Sequence, residues 1–303
     1  MKQFFALNSR NLKIYFKDIS AVFFSFLSVF IVIGLMVFFL GNVANGSIMR
    51  LVEGVPGRDP EADAETVKRI VYLWTVGGIL TISSASVTHA FYANMIKDRK
   101  DNRLNSILVM PIKRNLIVSS FVFGAWLTSV LTGAVTLAVT EIIGVAKGYP
   151  VFTFTEHLQI LLLICANSFV YASILFLLAS LGKSESAWGA IGIIIGTLSG
   201  FLGGIYLPIG DLGSGIAKVI KCFPFIYGTS AFRDVMLKKV EDGFFAGLPE
   251  EMRLGVDSNM GTSLSLFEKE LSLGVKIGIL VATGLVFCLA STIILKYGKK
   301  KDR

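Results

Sequence analysis

Residues 157–181 read HLQILLLICANSFVYASILFLLASL. Past His157 the stretch carries no Asp, Glu, Lys or Arg, and its apolar side chains point to every side of a helix. An α-helix crosses the roughly 30 Å hydrocarbon core of a bilayer with about 20 such residues. A helix with no polar face has no place on a water-exposed surface. Working outward, runs of the same character recur at residues 19–41, 70–96, 116–145, 187–209 and 273–295. The pattern predicts an all-α membrane protein with six transmembrane helices. Composition agrees: 53% of residues are hydrophobic, 17% are charged, and the mean hydropathy is +0.70. One soluble core cannot bury that much apolar surface. Lys276, at the start of the last run, can snorkel to the interface.

Lys and Arg fix the orientation. With the N-terminus in the cytoplasm, the inner pieces are residues 1–18, 97–115, 182–186 and 296–303. They hold 16 of the 29 basic residues but 5 of the 21 acidic ones. Six spans return the Lys299-Lys300-Lys301 tail to the same side, giving an N-in/C-in topology. The first run is longer than a signal-peptide core, and no A-x-A site follows it, which argues against cleavage. Asn45-Gly46-Ser47 matches a glycosylation sequon on the outer side, a triplet common by chance.

The pieces outside the bilayer are patterned. In the arm, residues 1–18, a helical winding of about 100° per residue puts Phe4, Phe5, Leu12, Tyr15, Phe16 and Ile19 on one face, with Asn8 intruding. Lys2, Arg10, Lys13 and Lys17 fall opposite. This predicts an amphipathic interfacial helix, serving either as a plain anchor or as a lever on the first span. Residues 98–114 open on a charged run in which Asp101 or Asn102 suits an N-cap. Leu104, Ile107, Leu108 and Ile112 then form an apolar stripe, and Pro111 ends or kinks the helix. Such a helix fits the bilayer surface or a groove on a partner protein equally well.

In the fifth run, Gly192, Gly196, Gly200 and Gly204 recur every four residues and would line one stripe of a helix. A second helix can approach closely there, from this subunit or from another copy. Residues 210–272 follow on the outer side. Their first half, 212–237, is too apolar for a free loop and is broken by Gly213, Gly215, Pro224 and Gly228, predicting a re-entrant helical pair. The second half, 238–270, reads as a polar extracellular cap. Residues 42–69 form the other outer elaboration, acidic around 59–65.

Most catalytic chemistry is excluded. Three cysteines (Cys165, Cys222, Cys288) show no ligand spacing and cannot all pair, and two histidines give little scope for a metal centre. Gly182-Lys183-Ser184 ends like a phosphate-binding loop, but the required first Gly is Leu177 and no strand precedes it. His89 and Glu141 lie deepest in apolar sequence and are candidates on that ground, although hydrogen bonding between helices, or reach to water, explains them as well. A channel or ion-coupled carrier calls for mid-membrane charges or an internal repeat, and neither is seen. An intramembrane enzyme would lack a nucleophile–base pair.

Several pieces together resemble the membrane subunits of type-2 ATP-binding-cassette (ABC) exporters. They are the arm before the first span, the run from Leu104-Asn105-Ser106-Ile107-Leu108 to Pro111-Ile112-Lys113-Arg114 after the second, and three segments after the fifth. Those segments are Gly203-Gly204-Ile205-Tyr206-Leu207-Pro208, Phe223-Pro224-Phe225-Ile226-Tyr227 and Ala231-Phe232-Arg233. The order of elements carries the likeness over nearly the whole chain. Asn102-Arg103 replaces the usual Gly-Thr, and the second Pro expected after Pro208 is missing.

The resemblance implies a single permease domain over residues 1–303 that pairs as a dimer and binds two separate ATPase subunits in a cell membrane, the bacterial plasma membrane being expected. ATP and Mg would sit on the partner, with no cofactor or catalytic residue on this chain. It also implies a cytoplasmic coupling helix touching the ATPase through Asp101, Leu104, Ile107, Leu108 and Pro111. The arm would act through Phe5, Leu12 and Phe16, and the re-entrant segment through Pro208, Pro224, Tyr227 and Arg233. The expected cargo is an amphiphilic small molecule, drug or antimicrobial peptide, with polysaccharide or lipid-linked glycan as the alternative.

Overall fold

The structure, a computed structural model, describes residues 2–35, 46, 48–50, 52, 55, 57–103, 112–182, 184–204, 206, 208–266 and 269–297. They are almost wholly helical: α1 Lys2–Lys17, α2 Ile19–Leu35, α3 Pro60–Lys100, α4 Arg114–Ala146, α5 Phe154–Leu181, α6 Glu185–Leu202, α7 Ser214–Ile220, α8 Pro224–Phe244, α9 Glu250–Met260 and α10 Leu273–Tyr297. The antiparallel pair β1 (Ser265–Leu266) and β2 (Lys269–Glu270) is the only sheet among these residues.

The 41-residue α3 is the axis of the bundle, and α2, α4, α5, α6 and α8 all pack on it. At 1.5 Å per residue it is about 60 Å long, so it extends well beyond an apolar layer. Its start at Pro60 lies ten residues ahead of the expected span. Asp59 caps it by accepting the Glu61 N–H at 3.0 Å, Pro60 takes the first helical position, and Glu61 and Asp63 occupy the first turn. Those signals turn the end of the expected acidic loop into helix. Lys97, Arg99 and Lys100 close the other end, so both ends complement the helix dipole.

Hydroxyls join the core helices where aliphatic contact alone would leave register loose. Ser129 Oγ donates to Ser168 Oγ at 2.9 Å, Tyr92 OH to the Ala172 carbonyl at 2.8 Å and Trp126 Nε1 to the Cys165 carbonyl at 2.9 Å. Thr128, Thr132, Thr136 and Thr140 each return their hydroxyl to the carbonyl four residues back. A ladder of this kind satisfies buried polar groups within one helix.

Among the described residues, five helices are long and apolar enough to cross a membrane: α3, α4, α5, α6 and α10. The first expected span is described over its 17-residue α2 portion, and residues 36–41 of that run lie outside the described residues. Two boundaries need correction. The fifth span was expected to reach residue 209, but α6 ends at Leu202, where Gly203 caps it and Gly204 turns left-handed at φ +59°. A glycine pair supplies that stop without a Cβ penalty. The division expected at residue 237 is also absent. α8 starts at Pro224 and runs unbroken to Phe244, because Lys238, Lys239 and Glu241 are good helix formers and Leu237, Val240 and Phe244 continue its buried face.

Candidate functional site

The arm α1 meets the C-terminal end of α3, the end that Asp101 caps. The arm α1 packs on α4, α2 and α3, and its buried face is Leu7, Asn8, Asn11 and Tyr15. Tyr15 lies 6.0 Å from the Phe91 ring and donates to Ser25 Oγ at 3.1 Å. Phe5 and Phe16, expected to share a face with Tyr15, are 63% and 47% exposed, and Leu12 is half-buried. The arm therefore divides its aromatics, Tyr15 facing protein and Phe5 and Phe16 facing outward. Arg10, expected on the headgroup side, instead meets Asp98 of α3 at 2.5 Å. Asp98 is 5% exposed, so this cation neutralises a carboxylate otherwise costly to bury.

Three residues further, Asp101 caps α3, and Arg103 reaches back to it at 3.5 Å. Leu104, Ile107, Leu108 and Pro111 lie outside the described residues. Ile112 is half-buried against the apolar cluster that also holds Tyr15, Phe91 and Ile96. Lys100 meets Glu185 at 2.8 Å, and Arg99 donates to the Gly182 carbonyl. Thus α1, α3, α5 and α6 are tied together at the C-terminal end of α3.

The glycine stripe divides by function. A Cβ on Gly192 would lie 2.4 Å from His89 Cε1, and one on Gly200 would lie 2.1 Å from Tyr206. Both glycines admit side chains of this same chain. Gly204 lies beyond the end of α6 with a left-handed backbone, so the stripe on the helix ends at Gly200, a correction to the expected four-glycine run. Gly196 has open space before it. His89, a candidate from its depth, stacks on Trp188 at 4.7 Å and 11°, and the two exchange hydrogen bonds at 3.0 and 3.2 Å. Trp188 had no sequence signal beyond its size.

Gly192→Ala should force this doubly held His89 ring aside, at about 1–3 kcal/mol. Gly196→Ala, with open space before it, should not destabilise and should add up to about 1 kcal/mol of helix propensity. Thermal unfolding of the purified protein checks both.

The other expected segment is a connected hub. Arg233 on α8 is 0% exposed. Its Nη1 donates to the Met260 carbonyl at 2.9 Å, its Nη2 to the Gly204 carbonyl at 2.8 Å and its Nε to the Trp74 carbonyl at 3.4 Å. The guanidinium lies 4.2 Å over the Trp74 ring, and Trp74 Nε1 donates to the same Met260 carbonyl at 2.8 Å. Pro208 is buried, Pro224 starts α8, and Tyr227 OH donates to the Lys221 carbonyl at 2.6 Å. Arg233 therefore binds α3, the turn after α6, and α9 to one another. Glu141 and His157 pair at 2.8 Å between α4 and α5, with Glu141 also accepting the Phe152 N–H at 3.0 Å. Among the described residues no three His, Cys, Asp or Glu side chains gather as metal ligands.

Residues 55–293 match the family model of the ABC-2 family transporter protein. The chain belongs to the ABC-2 transporter family. The match takes in α3 to most of α10, including the hub and the 104–111 segment, and starts after α1 and α2. A search of curated proteins found no match. Membership makes the chain a multi-pass membrane component of an ABC transporter, the part distinct from the nucleotide-binding subunit.

Proposed function

We propose that this ABC-2 permease is half of an ATP-driven exporter. Two copies pair around the pathway, and two separate ATPase subunits carry ATP and Mg. The chain crosses the membrane six times, α2 belonging to the first span, and both termini face the cytoplasm. Residues 101–111 dock on the ATPase. The observation that supports this most is the Arg10–Asp98 contact. It ties the arm to the helix end that leads into the expected docking segment, so a push on that segment reaches two elements at once. Coupling of this kind requires contacts that differ between two states of the transporter. An amphiphilic small molecule, drug or antimicrobial peptide is the proposed cargo, because the outward-facing surface of the bundle is apolar and aromatic.

The purified chain alone should hydrolyse no ATP, and it should co-purify with a Walker-motif ATPase encoded beside it. Leu108→Asp should abolish transport of the cargo while leaving membrane insertion intact. Normal transport by that variant would reject the docking assignment. Glycan export without amphiphile export would reject the cargo assignment and keep the permease reading.

A further inference from the structure

α8, α9, β2 and the starts of α5 and α10 enclose a cleft of about 760 Å³, a size that holds a small organic molecule. Its lining is acidic on balance, six carboxylates against three cations. Some of these charges have partners. Asp242 meets Arg253 at 2.7 Å, and Asp234 meets Lys276 of α10 at 2.6 Å. Glu156 of α5 accepts the Thr153 N–H at 2.6 Å in a capping box. Lys238 and Lys239 line the cleft but are exposed, so water screens them.

The buried part of the lining is different. Glu241 of α8 and Asp257 of α9 are 2% and 8% exposed, and Thr262, just past α9, is 5% exposed. Among the described residues nothing hydrogen-bonds to Glu241 Oε1, Asp257 Oδ1 or Thr262 Oγ1. Arg253 Nε stands 3.7 Å from Asp257 Oδ2, too far for a hydrogen bond. Buried acceptors without donors are rare and costly, and more so when they carry charge. Val235, Leu271 and Leu273 add apolar surface to the same cleft.

We propose that the cleft binds an amphiphilic organic amine, whose ammonium groups donate to Glu241, Asp257 and Thr262 while its hydrocarbon part lies against Val235, Leu271 and Leu273. Hydrogen bonds from an ammonium to a carboxylate are about twice as strong as neutral ones. An amine fits better than a metal ion. A hard divalent cation takes about six oxygens, and among the described residues no three His, Cys, Asp or Glu side chains gather as ligands. Burial raises the Glu241 carboxyl, with Asp257, Asp234 and Asp242 adding and Arg253 opposing. Burial also raises Asp257, against Arg253 and with Glu270 of β2 adding. An arriving cation favours the ionised forms, so binding releases a proton and tightens as pH rises. The orientation proposed above decides only which side of the membrane the cleft faces, so the exporter reading can fail without this site failing.

Titration calorimetry of the full chain in phosphatidylcholine nanodiscs tests this with hexamethylenediamine, which carries two ammonium groups. One saturable site per chain is expected, with affinity rising about tenfold between about pH 6 and about pH 8, where the raised carboxyls titrate. Hexamethonium keeps the spacing of the two charges but has no N–H, and should bind about tenfold more weakly or worse. Glu241→Gln and Asp257→Asn should each weaken diamine binding about tenfold, the difference between a charged and a neutral acceptor. Neither should melt below the wild type, because each removes a buried charge that lacks a partner. Absence of saturable diamine binding, equal affinity for hexamethonium, or undiminished binding in both variants would overturn the proposal. So would a lowered melting midpoint in both variants, which marks the acids as structural, or displacement of the diamine by equimolar Mg²⁺, which marks a metal site.

Discussion

Arg233→Ala is expected to destabilise the folded chain by about 3–5 kcal/mol, the usual effect of breaking a buried charged network from one side. In thermal unfolding of the detergent-solubilised protein this should lower the midpoint by on the order of 10 °C. The reason lies in what is left behind. The carbonyls of Met260 and Gly204 accept the two shortest of its hydrogen bonds, and the guanidinium also covers the Trp74 ring. Removing the donor takes from the Gly204 carbonyl its guanidinium partner in a site closed to water, a desolvation penalty of about 1–3 kcal/mol, while the Met260 carbonyl keeps the Trp74 Nε1 bond. Replacing a buried ion pair by apolar residues is often harmless because both partners go. Here the acceptors are main chain and stay, so Arg233→Met should also destabilise. Arg233→Lys should fall between, since an ammonium keeps the charge but cannot span three acceptors with a planar fork. Equal midpoints for the Met variant and the wild type would refute this account of the hub.

The legible part of this protein was the part governed by solvent. Apolar runs must become helices in lipid because backbone groups find no other partners there, so α3, α4, α5, α6 and α10 could be read from composition alone. Helix ends were read less well, since capping is local and is outweighed in a hydropathy window. Asp59-Pro60-Glu61 states the start of α3 clearly once it is read as a cap rather than as acidic loop. Arg233 was picked out by resemblance, yet nothing in its neighbourhood named Trp74 and Met260 as partners, which lie 159 and 27 residues away. The glycine stripe shows the opposite failure. Its four-residue spacing is a true helical period up to Gly200, but spacing cannot tell a glycine that admits His89 or Tyr206 from one left open, as Gly196 is.

The arm gives the second large expected effect. Asp98→Arg should release α1 from α3, because it places a second cation beside Arg10 at a position only 8% exposed in its side chain. Arg10→Asp should do the same with two carboxylates. The double exchange, Arg10→Asp with Asp98→Arg, should recover most of the contact. Arg10 is about a third exposed, so the pair contributes less than a fully buried one, on the order of 1–2 kcal/mol. Each single variant adds repulsion on top of that loss. Hydrogen exchange of residues 2–17 should rise about tenfold or more in the single variants, the equivalent of about 1.4 kcal/mol, and return toward the wild type in the double. Transport assayed with the ATPase present separates the two readings of the arm. If α1 is a lever, transport falls in both single variants and is rescued in the double, following the exchange data. If α1 is only an anchor held by Phe5 and Phe16 at the bilayer surface, exchange changes while transport does not. The charge exchange is the sharper test because it leaves those aromatics untouched, and any loss must then pass through the end of α3.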